Sequence, residues 1–525
     1  MDALTRAAVT GTSRETPPAS GLPTDDLFEG AMSLEKNLLL RAGARAIYRT
    51  AGRRAETGVE PPRPAPEETL PACSAKAAEV VRSLFDGKRD GVLLEALERI
   101  QLAGRRLPHA LLPAALNVER KELRPAVLAV LGERGRWLAG MNPEWGWATA
   151  SESDEAAWQE GALEERISAL RRARSRDAGQ GRLLIEDVWK TEKVEARAEM
   201  VRALEESLSS GDEPFLERAL DDRSVRVREA AADLLVRLPG SAYAERAAAR
   251  ADTVLSGYDP PARGLLGRRR NGKLVVSPPE TVQDSWKRDM PGEEKPPHGV
   301  GEKAWMVSRI LAKVPPGHWE ERFGAGPSEL VAAARGDWEA ALLTGWCSAT
   351  ATHRAGAWAL PLWERCYESF GESPEYEIVF GATYPMVHLL PQTDLAAALR
   401  RLLRDGEMTV RMAQTLDVLP GPWARDLGLW YLEALRERAR KVFSNPRDTM
   451  DHWPGTLGTA AEKLPPSCFQ HAPGPPPEKV QHGQEGEGFQ TIRREPYQAG
   501  YWRRELEKFE ETLELRRKLV EEIPL

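Results

Sequence analysis

The residues best suited to chemistry lie between Trp286 and Trp305, in the stretch WKRDMPGEEKPPHGVGEKAW. Gly299 and Gly301 stand just before a predicted helix that opens with Glu302 and Lys303. Glycines in that position leave backbone amides bare at a helix N-terminus, where they can hold an anion, and Lys303 would add positive charge. Trp286, Asp289, His298 and Trp305 complete the set. No strand clearly precedes the glycines, and neither G-x-G-x-x-G nor G-x-x-x-x-G-K-[ST] is present. The stretch reads first as a structural turn and second as a ligand or partner site.

Other candidates are thinner. Trp137, Trp145 and Trp147 surround Asn142-Pro143 in RWLAGMNPEWGW. They read as a loop packed on the edge of a helical array or, alternatively, as an exposed aromatic contact site. Gly11-Thr12-Ser13-Arg14 offers amides and hydroxyls together, a turn that more often ends a helix than binds an anion. Arg41, Arg45, Arg49, Arg53 and Arg54 form one basic face, read as solvated rather than phosphate-binding. The eight histidines show no H-x-x-x-H pair, and no G-x-S-x-G or Cys/His signature appears. No catalytic, cofactor-binding or metal-ligating residue is assigned, and no cofactor is expected.

Composition narrows the class. The chain has 525 residues, 41% of them hydrophobic, enough for sizeable cores. Lys and Arg number 73 against 80 Asp and Glu, a net charge of −7 that argues against a dedicated nucleic-acid binder. Sixteen Trp outnumber nine Tyr and ten Phe, an aromatic balance that serves large helical interfaces and protein contacts alike. Cys73, Cys347, Cys366 and Cys468 lie far apart, so neither a disulfide framework nor a zinc site is expected, and a reducing compartment fits. The N-terminal MDALTRAAVTGTSRE has no apolar signal core, and no run approaches a membrane span. A soluble, cytoplasmic protein is expected.

The element that must position any site is the helical hairpin, clearest from Gly211 to Gly240. Asp212 is placed to cap the first helix, with Glu213 and Pro214 suited to its first turn. Phe215, Leu216, Ala219 and Leu220 share one apolar face. Ser224 is placed to cap the second helix, whose stripe is Val227, Ala231, Leu234, Leu235 and Leu238, before Pro239 and Gly240 stop it. Neither helix is long enough to persist alone, so each needs a stacked neighbour. Arg124, Arg197 and Arg228 each stand seven residues before a leucine, and the last two are 31 residues apart, close to one repeat.

The predicted architecture is all-α, a HEAT-like helical-repeat (α-solenoid) array with a small irregular or β-hairpin insertion. N-terminal helices over residues 1–54 precede a Pro-rich linker at 55–73 and a helical array at 74–256. An irregular insertion at 257–300 follows, with Asn271-Gly272 as a hairpin turn between Arg268-Arg269-Arg270 and Lys273 to Val276. A second array covers 301–445 and a Pro/Gly-rich irregular segment 446–500. An amphipathic helix at 501–525 either caps the array's open end or docks on a partner.

Four segments together carry a family resemblance: Ala7-Ala8-x-x-Gly11-Thr12, Gly181-Arg182-x-Leu184, Phe215 to Ser224, and Gly301-Glu302-Lys303-Ala304-Trp305. They resemble uncharacterised bacterial HEAT-repeat-like proteins encoded beside MoxR-type AAA ATPases, von Willebrand factor A domain proteins and SWIM zinc-finger proteins. The resemblance implies a context rather than a chemistry. Three functions are open. A non-catalytic protein–protein scaffold or adaptor would work with an AAA ATPase or von Willebrand factor A module in a chaperone-like system. A nucleic-acid-binding or DNA-glycosylase-like HEAT protein would contact phosphates through Arg171, Arg172, Arg174 and Arg176 or Arg268 to Arg270. A lyase would need a deep polar pocket on the same scaffold.

Overall fold

The computed structural model describes residues 3–12, 14, 33–51, 63–87, 89–149, 154–263, 269–270, 272–281, 283–292, 295–369, 376–403, 406–444, 452–474 and 497–524. They form two compact units, Met1–Ala65 and Pro66–Leu525.

The first unit holds α1 (Ala3–Thr10) and α2 (Leu34–Ala51). Here Arg41, expected on a solvated basic face, is covered. Arg41 is buried at 8% exposure and donates from Nε to Asn37 Oδ1 at 2.6 Å, while Leu39 and Ile47 are 72% and 73% exposed. The turn at Gly11 uses the Thr12 hydroxyl on the Glu35 carboxylate, 2.6 Å away, which places negative charge where an anion was envisaged. Ser13, Arg53 and Arg54 lie outside the described residues.

The second unit begins with α3 (Ala75–Asp86), α4 (Asp90–Leu102), α5 (Leu112–Leu116), α6 (Arg124–Val130) and α7 (Gly132–Ala139). Then come α8 (Asp154–Glu160), α9 (Leu163–Arg176), α10 (Ala178–Val188), α11 (Val194–Ala203), α12 (Glu213–Ala219), α13 (Val225–Leu235) and α14 (Ala242–Val254). Four short strands follow: β1 (Leu255–Asp259), β2 (Ala262–Arg263), β3 (Arg269–Arg270) and β4 (Lys273–Val276). Helices resume as α15 (Asp284–Asp289), α16 (Glu302–Leu311), α17 (Gly317–Phe323), α18 (Pro327–Ala333), α19 (Glu339–His353), α20 (Gly356–Ser369) and α21 (Tyr376–Gly381). The last are α22 (Gln392–Leu402), α23 (Val410–Val418), α24 (Arg425–Ser444), α25 (Trp453–Lys463) and α26 (Tyr497–Glu522). Among the described residues no helix is long and apolar enough to cross a membrane.

The helices stack in series: α9 on α11, α11 on α13, α14 on α16, α16 on α19, α18 on α20, α20 on α22, α22 on α24, and α24 and α25 on α26. This is the all-α helical-repeat array the apolar stripes require. Every stripe residue named for the Gly211–Gly240 hairpin is buried. Two layers meet closely at Gly345 in α19, where a Cβ would stand 2.8 Å from the Ser308 carbonyl oxygen of α16. Any larger residue would push the two layers apart.

Polar bonds between layers carry the repeat. Arg182 reaches Asp212 across 30 residues, Arg218 reaches Glu186 across 32, Arg237 reaches Glu205 across 32, and Arg246 reaches Glu217 across 29. This register matches the 31-residue spacing of Arg197 and Arg228. Those two arginines meet at Asp222. Arg197 Nη2 donates to its Oδ1 at 3.2 Å and Arg228 Nη1 to its carbonyl at 2.8 Å.

Both caps assigned to the hairpin act otherwise. The Ser224 side chain makes no capping bond; instead Asp222 Oδ1 accepts from the Ser224 N–H at 2.8 Å. The Asp212 carboxylate makes no capping bond to α12. It takes Arg174 on both oxygens (3.2 and 2.9 Å), Arg182, and the Ser209 N–H. Two guanidiniums hold a buried carboxylate more strongly than a helix turn does. Arg174 also donates to the carbonyls of Ala178, Leu204, Glu206 and Ser207, and its side chain is fully buried. It is therefore not an available phosphate contact.

The boundaries differ from the sequence expectation in four places. Glu68 is anchored in the second unit rather than in a linker: its carboxylate accepts from the Glu133 N–H at 2.9 Å at the start of α7, beside Arg106 at 3.3 Å. A helix N-terminus and an arginine fix it there. Lys273–Val276 is a strand, but it pairs antiparallel with Leu255–Asp259, and Arg269–Arg270 pairs with Ala262–Arg263. Leu255 and Leu274 are both buried, so apolar pairing overrides the two-residue turn; Asn271 lies outside the described residues.

Residues 446–500 contain α25, whose Trp453, Leu457, Ala460 and Ala461 are buried. Finally, the core divides near residue 150, not at 257–300. One buried cluster runs from Trp158 to Leu513, and a smaller one joins Cys73 to Ala148 with Leu519 and Ile523.

The C-terminal helix α26 spans both cores. Trp502, Leu506, Phe509 and Leu513 enter the larger, Leu519 and Ile523 the smaller. It packs on α3 as well as α25. Arg516 donates to Glu95 of α4 at 2.5 Å and to the carbonyls of Ala461 and Leu464. On their other side the first layers reach α9 through Lys121 and Glu164, 2.7 Å apart. Its apolar stripe packs within the chain itself, and the helix ties the last layers of the array to the first.

Candidate functional site

The sequence AYAERAAARADTV makes α14 a helix because alanines dominate it and Ser241 accepts from the Ala244 N–H at 3.1 Å. Tyr243, Arg246 and Arg250 stand at i, i+3 and i+7, on one face. Across from them the short helix α15 presents Trp286 and Asp289.

Asp289 is buried and takes three donors on two oxygens. Arg246 Nη2 reaches Oδ1 at 2.9 Å, Arg246 Nε reaches Oδ2 at 2.9 Å, and Arg250 Nη2 reaches Oδ2 at 2.8 Å. The Tyr243 hydroxyl donates to the Asp289 carbonyl at 2.6 Å. Burial works to raise the Asp289 carboxyl, but the Arg246 and Arg250 hydrogen bonds outweigh it and hold it below its ordinary value. Burial, with the Asp289 charge second, pushes the Tyr243 hydroxyl up.

Neighbouring arginines fix α15 in place. Arg288 turns away to Asp221 and Glu217, and Glu217 also accepts from Arg246. Arg309 Nη2 donates to the carbonyls of Met290 and Pro291 at 3.0 Å each.

A cleft of about 570 Å³ opens over this cluster, lined by Arg246, Arg250, Thr253, Ser277, Gln283 and Trp286 among others. The Arg250 guanidinium lies 5.5 Å from the centre of the Trp286 ring. Arg250 Nε is buried without a hydrogen-bond partner among the described residues. Leaving a buried donor unmet costs about 1–3 kcal/mol, so such an atom calls for an explanation. A second recess, of about 380 Å³, has walls that include the apolar edges of Trp158, Ala169, Ala173 and Leu184.

The stretch from Trp286 to Trp305 is thus divided. Trp286 and Asp289 join the cleft. His298, Gly299, Gly301, Glu302 and Lys303 are exposed and do not line it. Gly299 adopts φ +84° in a surface turn. Lys303 pairs with Glu280, its Nζ 3.0 Å from both carboxylate oxygens. Trp305 is half-buried under Arg309, 4.7 Å from its ring centre.

The other tryptophan cluster is packed rather than displayed. Trp145 and Trp147 pack on the smaller core, Trp145 Nε1 donates to Asn117 at 2.8 Å, Arg124 lies 4.8 Å over Trp147, and Trp137 is half-buried. Sequence reading missed Tyr243, Arg246 and Arg250. Their signal was present in the i, i+3, i+7 spacing, but it points outward from a helix with no neighbour visible in the sequence.

A family pattern matches residues 3–523, nearly the whole chain. The chain belongs to DUF5691, a family of unknown function. No curated protein and no solved structure matches it.

Proposed function

We propose that the chain is a non-catalytic protein–protein scaffold or adaptor of the bacterial cytoplasm. The observation that carries this reading is the serial stacking of helix pairs from α9 to α26, with bonds between layers at a 29–32-residue register from Arg182 to Arg246. Such stacks present an extended surface on which a partner chain can lie. The partner class comes from the resemblance: an AAA ATPase of the MoxR type or a von Willebrand factor A domain protein, in a chaperone-like or remodelling system. The proposal includes no nucleic-acid or membrane partner, and the burial of Arg174 against Asp212 removes one of the arginines a phosphate-contact reading would use.

The test is affinity capture of the full chain from the cells that encode it. Recovery of an AAA ATPase or von Willebrand factor A protein is the expected result. Recovery of no protein partner under several salt and nucleotide conditions would overturn it.

A further inference from the structure

We propose that the cleft between α14 and α15 is a binding site for an oxoanion, a carboxylate or a phosphate. The argument rests on hydrogen-bond donors left over after the cluster's own charges are matched. Three arginines, Arg246, Arg250 and Arg288, face three carboxylates, Asp289, Glu217 and Asp221, so the attraction is not one of surplus charge. Instead Asp289 clamps Arg246 and Arg250 side by side while using only part of each fork. Their Nη1 groups make no hydrogen bond to the described residues, and Arg250 Nε is buried with none. The Gln283 amide and the Ser277 hydroxyl, which line the same cleft, make no side-chain hydrogen bond to the described residues.

Two guanidiniums held rigid by a shared buried carboxylate are preorganised for the bidentate geometry that oxoanions offer. Trp286, braced against Arg250, gives the cleft one apolar wall for whatever carries the anion. The carrier has two possible sources: a free small anion, or an acidic side chain of a protein. The site stands independently of the scaffold reading.

The full chain is titrated calorimetrically with inorganic phosphate, with benzoate, and with an end-capped octaglutamate peptide, with neutral benzyl alcohol as control. Saturable binding of at least one anion, and none of benzyl alcohol, is expected. Tightest binding of phosphate or benzoate assigns a free ligand, and of the peptide a protein source. Arg250→Lys keeps a cation beside Asp289 but removes the fork, and should weaken binding at least about tenfold. Gln283→Ala, which does not touch Asp289, should weaken it by a smaller factor while leaving the melting temperature unchanged. Absence of saturable binding to all three anions, or binding indifferent to both variants, overturns the site. Capture of a protein partner unchanged by Arg250→Lys would separate the fate of this site from that of the scaffold.

Discussion

From α9 to α14 one layer reaches the next through arginine and carboxylate; from α16 to α25 it does so mainly through tryptophan. In the earlier region many of the buried residues are small. Ala196, Ala198, Ala230, Ala231 and Ala232 are buried, and Arg174, Asp212 and Asp222 bind across the gap. In the later region Trp319, Trp346, Trp358, Trp363, Trp423, Trp430 and Trp453 are all buried. Trp346 meets Trp358 edge-on at 5.2 Å, and Tyr431 lies 5.1 Å from Trp453. Bonds between layers there span 25 to 52 residues, whereas the four earlier stitches from Arg182 to Arg246 keep to 29–32. A polar stitch needs its two ends in fixed register, so it preserves a period. A large ring fills whatever space the layers leave, so it tolerates insertions and the period is lost. The same helical pair is held by directional bonds in one place and by volume in the other, and the two should fail differently.

The largest difference is expected from Asp212→Ala. Removing the carboxylate leaves Arg174 charged and fully buried, with Arg182 and the Ser209 N–H also unmet. Breaking a buried pair from one side costs about 3–5 kcal/mol. Hydrogen exchange should rise through α9 to α13 while α19 to α23 stays protected. The double variant Arg174→Met with Asp212→Leu should recover most of the loss, since neither charge is then stranded. A double variant no more stable than Asp212→Ala would mean that Arg174's four carbonyl bonds, not the ion pair, hold these layers.

Acid should separate the regions in the opposite order. His353, at the end of α19, is pushed down to about 4 by burial, with the charges of Arg237 and Lys313 adding to it. Its folded pKa therefore lies below the ordinary value of 6.5, so the unfolded chain takes up the proton first. The stability it contributes is full above pH 6.5 and is lost as pH falls toward 4, by at most about 3 kcal/mol. Burial raises the Asp212 carboxyl, but the Arg174 hydrogen bond leads the effects that leave it below its ordinary 3.8. That contribution persists until pH drops under that value. The tryptophan-filled layers should loosen first, seen as α19 exchange rising between pH 6.5 and 4. His353→Leu should remove this phase. Exchange that rises first in α9 to α13 would reverse the assignment.

How much of this was readable follows from the same contrast. The Gly211–Gly240 hairpin, its buried stripe and the 31-residue step were legible because stitched layers repeat in sequence. The role of Arg174 was not, because LRRARSR looks like a solvated basic helix until Asp212 is folded over it. The cleft was half legible: Trp286 and Asp289 stood out by type, whereas Arg246 and Arg250 were hidden in an alanine-rich helix. The tie between α26 and α4 joins Arg516 to Glu95 across 421 residues, a separation that no local pattern records. Small residues at close crossings and apolar stripes are local signals; the choice of distant partner is not.

Trp363→Phe offers a smaller test of the volume-held region. Trp363 is buried and its Nε1 donates to Thr415 Oγ1 at 3.0 Å across 52 residues. Phenylalanine keeps the apolar contact but leaves a gap and removes the donor, a loss of about 1–3 kcal/mol. The Thr415 hydroxyl still donates to the Arg411 carbonyl, so it is not orphaned. The denaturation midpoint should fall, with exchange rising in α20 and α23. A loss confined to α9–α13 would mean that the two regions do not yield separately.

The smallest effect separates a stitch that stabilises from one that only records the register. Arg218 and Glu186 pair at 2.6 Å across adjacent layers, but their side chains are 63% and 31% exposed. An exposed pair contributes about 0.2–1 kcal/mol and weakens further with salt, because water and ions compete for both charges. Arg218→Ala should therefore shift the denaturation midpoint only slightly at low salt and by nothing measurable near 1 M salt, where screening shortens to about 3 Å. Arg218 also lies over the Phe215 ring at 5.7 Å, so Arg218→Met, which retains much of the packing, distinguishes lost contact from lost charge. A salt-independent loss rivalling that of Asp212→Ala would show that surface stitches hold the early layers as firmly as buried ones. The division of labour between Arg174 at the centre and Arg218 at the rim would then have to be abandoned.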